Sequence, residues 1–378
     1  MNLANRDKFN DFSQIIISAV IFLAITLVII RMDFGTSGLP KGTNILDSYL
    51  SFYSVKGVGI FPWDPLTDWG QPTPGFTGPT LIFPFIEILP LSVLIRALEF
   101  IMIFLSGFLT CVAFLKSGFK LVSSLLASTY YLLMTETSQF FDGHLGLMIT
   151  FALFPMFVYL LYRLVRRPSF MYSILVALLL YLIFSLGDMG GFYMVILGSI
   201  PPFLYLLVNR IRERKYERSE WALLLYAPVI FIFFSLTWLI PYLFGIHPEY
   251  TTTIITHISS FRNTDGILPQ FSFSGFISDI SYTLFYLRHG NYSIFPDSLY
   301  PVYLSLPILL GYYAVKERRI KLIFILLYSL FFAVIATGPI IPVVSSFNYL
   351  IYNFVPLFDY IPAVFRWDYF TVLGYTYL

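Results

Sequence analysis

Ile15-Ile-Ile-Ser-Ala-Val-Ile-Phe-Leu-Ala-Ile-Thr-Leu-Val-Ile-Ile30 carries no charge until Arg31 closes it. A helix needs about 20 apolar residues to cross a hydrocarbon core of about 30 Å, and this run with its flanks reaches that length. Its apolar stretch is longer than a typical signal-peptide core, and Arg31-Met32-Asp33 is a poor cleavage site. It reads as a retained signal-anchor helix. Further apolar runs begin near Val93, Leu121, Leu145, Ser169, Phe192, Trp221, Leu299, Lys321 and Pro362. With the first, near Phe12, they predict an all-α polytopic bundle of about ten spans.

Composition agrees. Of the 378 residues 58% are hydrophobic, 20% aromatic and 12% charged, where a soluble domain carries about 25% charged residues. So few charges suit two membrane faces but not a whole protein surface. The single cysteine, Cys111, excludes an intramolecular disulfide framework. The net charge of +2 gives no reason to expect a nucleic-acid partner.

The charges also orient the bundle. Arg6 and Lys8; Lys116 and Lys120; Arg163, Arg166 and Arg167; Arg210, Arg212, Arg214, Lys215 and Arg218; and Lys316, Arg318, Arg319 and Lys321 all fall on alternate turns, 16 of the 23 basic residues. The positive-inside rule makes that face cytoplasmic, with the N-terminus inside, and implies a multi-pass plasma-membrane protein. Length accumulates on the other face, in outer loops over 31–82 and 246–297, with short loops at Thr135–His144 and Gly187–Gly191 between them. Of 21 acidic residues, all but Asp7, Asp11, Glu213, Glu217, Glu220 and Glu317 lie in the spans or on the outer side. No linker, low-complexity tract or repeat divides the chain, so residues 1–378 read as one membrane domain. Its closing apolar stretch from Pro362 is short for a span, as expected of the N-terminal part of a longer protein.

Loop one is dense in Gly, Pro and Trp: Gly38-Leu-Pro-Lys-Gly-Thr-Asn-Ile-Leu-Asp47-Ser-Tyr49, then Phe61-Pro-Trp63-Asp-Pro65, then Asp68-Trp69-Gly-Gln-Pro72. Such a composition favours tight turns and an ordered loop. Trp63 and Trp69 suit the membrane–water interface as well as a substrate surface. An N-terminal helix, a large outer loop with an early Asp and a Trp-x-Pro…Gly-x-Pro stretch resemble the GT-C superfamily, multi-pass glycosyltransferases that use polyprenyl-phosphate sugars. The likeness is to its archaeal and bacterial branches and to arabinofuranosyltransferase-like proteins. It is carried by Asp47, Tyr49, Tyr53, Trp63, Pro65, Gly70 and Pro72, by Gly143-His144 before the run to Pro155, and by Phe365-Arg366.

The resemblance implies transfer of a sugar from a polyprenyl-phosphate donor to a glycan or glycoprotein acceptor at the outer face, with membrane lipid as surroundings. It implies no cofactor beyond the lipid-linked donor. A first-loop carboxylate would act as base; that role falls on Asp47, with Asp33 in reserve. Some relatives place an Asp after Gly-Thr, where this chain has Asn44, and many keep theirs nearer the first helix, where Asp33 sits. No Asp-x-Asp or Glu-x-Asp pair is present, so nothing in the sequence calls for a divalent metal.

Such chemistry needs a base for the acceptor hydroxyl and positive charge for the leaving phosphate. Glu136, Asp142 and His144 share the second outer loop and could complete the site, or be solvated loop residues. Asp188, in Gly187-Asp-Met-Gly-Gly191, lies between two apolar runs, where an acid faces a cavity or marks a surface turn. Arg366 is the candidate phosphate clamp, or a snorkelling interfacial residue. Arg96 and Glu99 are spaced to pair on one helix. The Asn291-Tyr-Ser293 sequon fits an outer loop. No glycine-rich phosphate loop is present, which excludes a self-contained transport ATPase. A transporter or flippase of lipid-linked saccharides and a non-catalytic subunit of an envelope-assembly complex are the competing readings.

Overall fold

A computed structural model describes residues 3–33, 63–64, 71–72, 88, 91–134, 145–186, 189–213, 218–245, 309, 311–313, 316, 320–336, 374 and 376. The helices are α1 (Leu3–Asp33), α2 (Leu91–Lys116), α3 (Leu121–Met134), α4 (Leu145–Arg166), α5 (Phe170–Leu186), α6 (Met189–Arg212), α7 (Arg218–Gly245) and α8 (Ile320–Ala336). One two-strand ladder, β1 (Trp63–Asp64) with β2 (Gln71–Pro72), completes the described elements. Among the described residues four stretches are long and apolar enough to cross a membrane: Phe12–Arg31, Arg96–Lys116, Leu147–Arg166 and Met194–Arg212. Leu121–Leu133, Phe170–Ser185, Glu220–Leu236 and Lys321–Phe332 are shorter apolar helices. The expected spans near Leu299 and Pro362 lie outside the described residues, as does most of both long outer loops.

The way these helices divide their faces is that of a membrane protein. On α1 the buried side carries Ser18, Phe22, Thr26 and Ile29, while Val20, Leu23, Leu27 and Val28 are exposed. On α3 Ser124 and Ser128 are buried and Val122 and Leu126 exposed; on α8 Ser329 is buried and Leu327 exposed. Small hydroxyl residues join large apolar ones such as Phe22, Ile103, Leu132 and Phe151 in the interior, while many large aliphatic residues face outward, an arrangement lipid tolerates and one in which small residues let helices approach. Several of the inward hydroxyls bond back to a carbonyl of their own helix. Thr26 donates to Phe22 O (2.7 Å), Thr110 to Ser106 O (2.6 Å) and Ser128 to Ser124 O (2.6 Å), as a medium without water requires.

The chain forms two compact units, Met1–Asp188 with Ser199–Pro241, and Met189–Gly198 with Tyr242–Leu378. In the first, α2 packs against α1, α3 and α4, and α4 against α5. α4 is the innermost, with 67% of its span buried against 22% for α1. Gly107 of α2 lies so close to the Phe22 ring that a Cβ there would collide with it. One turn away the Cys111 thiol donates to Ser18 Oγ (3.3 Å). Position rises along α2 as it falls along α1, so the two helices are antiparallel.

The turns have legible causes. Between α2 and α3, Phe119 N–H reaches Phe114 O (3.1 Å) and Gly118 N–H reaches Leu115 O (3.0 Å), the bond pair of a Schellman ending. Gly118 supplies the left-handed residue, with φ at 94°, and Phe119 packs edge-on to Phe114 at 5.2 Å. Between α4 and α5, Ser169 caps α5, its Oγ accepting from Tyr172 N–H (3.2 Å). Arg163 donates to the Tyr172 hydroxyl (3.1 Å) across the same turn. Arg210 and Glu220, 3.7 Å apart, join the end of α6 to the start of α7. Phe170 meets Tyr226, and further along Phe184 meets Phe231 and Tyr181 meets Phe234, so α5 and α7 run parallel.

In the second unit α8 is the described centre. Tyr328 stacks edge-on to Phe332 (4.8 Å), Gly311 lies 3.7 Å from Leu326 measured from the position of a Cβ, and Gly374 is in close contact with Ser329.

Candidate functional site

Asp47, Trp69, Glu136, Asp142, His144, Asp188 and Arg366 lie outside the described residues. Asp33 is the last residue of α1. Trp63 stands opposite Pro72 in the antiparallel ladder, and Asp64 opposite Gln71. The stretch of loop one that carries the Trp-x-Pro…Gly-x-Pro likeness therefore pairs its two ends through main-chain hydrogen bonds.

An ion pair stands near the start of α2. Arg96 Nη1 is 3.2 Å from Glu99 Oε2, one turn on along α2. Glu99 is 1% exposed and Arg96 16%, so this is an ion pair removed from water rather than a surface contact. Continuing the Phe22–Gly107 and Ser18–Cys111 register by whole turns sets Ile30 at the level of Glu99 and Asp33 at the level of Arg96. Two acids and a guanidinium from successive helices thus share the end from which loop one departs. The i, i+3 spacing predicts the pairing; the burial of Glu99 and the level of Arg96 with Asp33 depend on how α1 crosses α2, which spacing does not reveal. Ionisable groups at such depth are costly and mark function more often than decoration.

Two of the described helices contain proline, and in each a carbonyl that proline leaves is met by a tyrosine of another helix. Pro155 in α4 has no N–H for Phe151 O, and Tyr131 of α3 donates its hydroxyl to that oxygen at 2.9 Å. Pro202 in α6 likewise leaves Gly198 O, and Tyr328 of α8 donates to it at 2.9 Å. A proline break in a membrane needs such a donor. Tyr131→Phe keeps the packing of a fully buried ring and removes its donor, so it is expected to lower stability by about 1–3 kcal/mol. Unfolding in mixed micelles measures the loss, and a cost indistinguishable from zero would show that the oxygen needs no partner.

Among the described residues no group of three or more His, Cys, Asp or Glu is placed to hold a metal ion. Cys111 sits wholly buried in the α1–α2 seam beside Ser18 and serves packing there. No protein-family model, no curated protein and no solved structure matches the chain.

Proposed function

We propose that the chain is a membrane glycosyltransferase that moves a sugar from a polyprenyl-phosphate donor to a glycan or glycoprotein acceptor at the outer face of the plasma membrane. Its spans number about ten, the N-terminus is cytoplasmic and both long loops are outside. The observation that supports this reading is that Asp33 stands at the level of Arg96, itself paired with Glu99 one turn on, at the end of the helices where loop one begins. A carboxylate can take the acceptor proton while a guanidinium meets the departing phosphate, whose geometry it matches. Asp47 is the base and Asp33 its reserve. Glu136, Asp142, His144 and Asp188, from the short outer loops, contribute to substrate binding, with Arg366 as phosphate clamp and Trp63 and Trp69 as sugar-facing or interfacial surfaces.

The test is sugar transfer by the purified chain in lipid with radiolabelled polyprenyl-phosphate sugars. Asp47→Asn is expected to lower turnover at least about a hundredfold, the scale of a lost general base. Undiminished transfer would shift the base to Asp33, read out by Asp33→Asn. No transfer by folded protein with any donor would overturn the enzyme reading.

A second reading, a transporter or flippase of lipid-linked saccharides, is favoured by the buried Arg96–Glu99 pair together with proline breaks in α4 and α6, because transporters place ionisable groups beside interrupted helices. Movement of a lipid-linked saccharide across sealed vesicles, without transfer of its sugar, would select it.

A further inference from the structure

The opposite end of the first unit carries a different feature, independent of the transferase reading. Lys116 and Lys120 flank the α2–α3 turn, and Arg163, Arg166 and Arg167 flank the α4–α5 turn. The two turns lie at one end, since α2 packs on both α3 and α4 and Lys116 is near enough to Tyr159 of α4 to act on it electrostatically. No acid lies between 100 and 135 or between 143 and 187, so neither turn neutralises its own cations. The N-terminal part of α1 adds Arg6 and Lys8 but also Asp7 and Asp11, which balance.

Tyrosine rings hold the guanidinium groups. Arg163 lies 6.0 Å from the Tyr159 ring and 5.6 Å from the Tyr172 ring, and donates to the Tyr172 hydroxyl. Arg166 lies 5.7 Å from the Tyr162 ring. Such contacts restrain the side chain while leaving it charged. Large apolar side chains stand exposed among the cations: Phe119 (44%) within the first turn, Phe170 (55%) and Met171 (63%) after the second. Cations interleaved with exposed apolar groups fit neither a purely aqueous partner nor hydrocarbon alone. They fit the boundary between acyl chains and phosphate.

We propose that this end of the unit is a binding site for the phosphodiester headgroup of an anionic phospholipid. Lys120 and Arg167, both exposed, take the phosphate; Arg163 and Arg166 fix the field behind them; and Phe119, Phe170 and Met171 lie against the upper acyl chain. Charge complementarity selects the occupant. A zwitterionic headgroup brings its own cation into the same field, whereas an anionic one does not.

The experiment reconstitutes the whole chain in nanodiscs of equal phosphatidylglycerol and phosphatidylcholine and counts the lipids that stay bound after detergent extraction. The wild type is expected to retain phosphatidylglycerol in excess. Lys120→Gln/Arg167→Gln is expected to weaken that preference about tenfold, the scale of losing one to two interfacial cations. Both positions are exposed, so folding survives, and thermal unfolding checks it. Lys316→Gln/Arg318→Gln removes equal charge from a different turn and is expected to leave the preference intact. No excess in the wild type overturns the proposal, and so does an equal loss in both variants, which would mean only a generally basic surface. An excess abolished by inorganic phosphate at matched ionic strength also overturns it, in favour of a soluble phosphate.

Discussion

Gly107→Leu is expected to lower stability by about 3 kcal/mol, at the upper end of what overpacking costs. The reason is local. Gly107 and the buried Phe22 ring are so close that even a methyl group would collide with it. Phe22 is 0% exposed and cannot swing toward lipid without opening the seam. A glycine in the middle of a helix sacrifices about 1 kcal/mol of propensity relative to alanine, so on its own α2 would gain from the change. The interface decides the sign. Small residues that let backbones approach drive helix association where no hydrophobic effect operates, and leucine would push α1 off α2 along with the Cys111–Ser18 contact one turn away. The comparison that isolates the cause is Gly107→Leu with Phe22→Ala. The ring removed makes room for the side chain added, so the double variant is expected to be more stable than Gly107→Leu alone. Unfolding of the four proteins in mixed micelles gives the coupling directly. A Gly107→Leu protein as stable as wild type would mean that α1 does not pack here.

That glycine illustrates what the sequence disclosed and what it did not. Where helices begin was legible, because charges or turn formers bracket each apolar run. The expected starts at Leu121 and Leu145 coincide with α3 and α4, and Ser169 is the residue that caps α5. Which face of a helix turns inward was not. With serine, leucine and phenylalanine on all sides, hydropathy has little contrast, and large apolar residues are found both buried (Ile103, Leu132, Leu164) and exposed (Leu126, Leu225, Leu327). Nor could local pattern pair Tyr131 with Pro155 or Tyr328 with Pro202, since each repair comes from another helix. The antiparallel α1–α2 and parallel α5–α7 pairs come from contacts between helices far apart in sequence.

The candidate site divides in the same way. Loop one could be singled out because glycine, proline and tryptophan make its composition unlike that of the spans, and its Trp63–Pro72 pairing is consistent with an ordered loop. Arg96 and Glu99 were readable as partners because i, i+3 spacing on a helix is a local rule. Their depth was not, because burial is set by the neighbours α2 meets. The place of Asp33 at the level of Arg96 is likewise set by the register of α1 on α2, not by their distance in sequence.

Arg96→Leu is expected to cost about 3–5 kcal/mol, because it takes the cation away from a carboxylate that is 1% exposed. Glu99→Leu added to it removes the buried charge as well, and replacing both members of a buried pair by packed apolar residues is close to neutral. The double variant is therefore expected to regain most of the loss in micelle unfolding, and a double variant as unstable as Arg96→Leu would mean that the pair is not what stabilises α2 there. The restored fold then separates structure from function. If the pair only staples α2, the double variant transfers sugar as the wild type does. If the guanidinium meets the donor phosphate, the folded double variant has a raised KM for the lipid-linked donor. It also has a lowered kcat to the extent that the contact strengthens as the phosphate departs. Lysine at the same position sharpens the distinction. Arg96→Lys keeps a cation beside Glu99 and so keeps the fold, but it replaces a planar donor array by a point charge. A phosphate ligand would feel that change in KM, and a simple counter-ion to Glu99 would not.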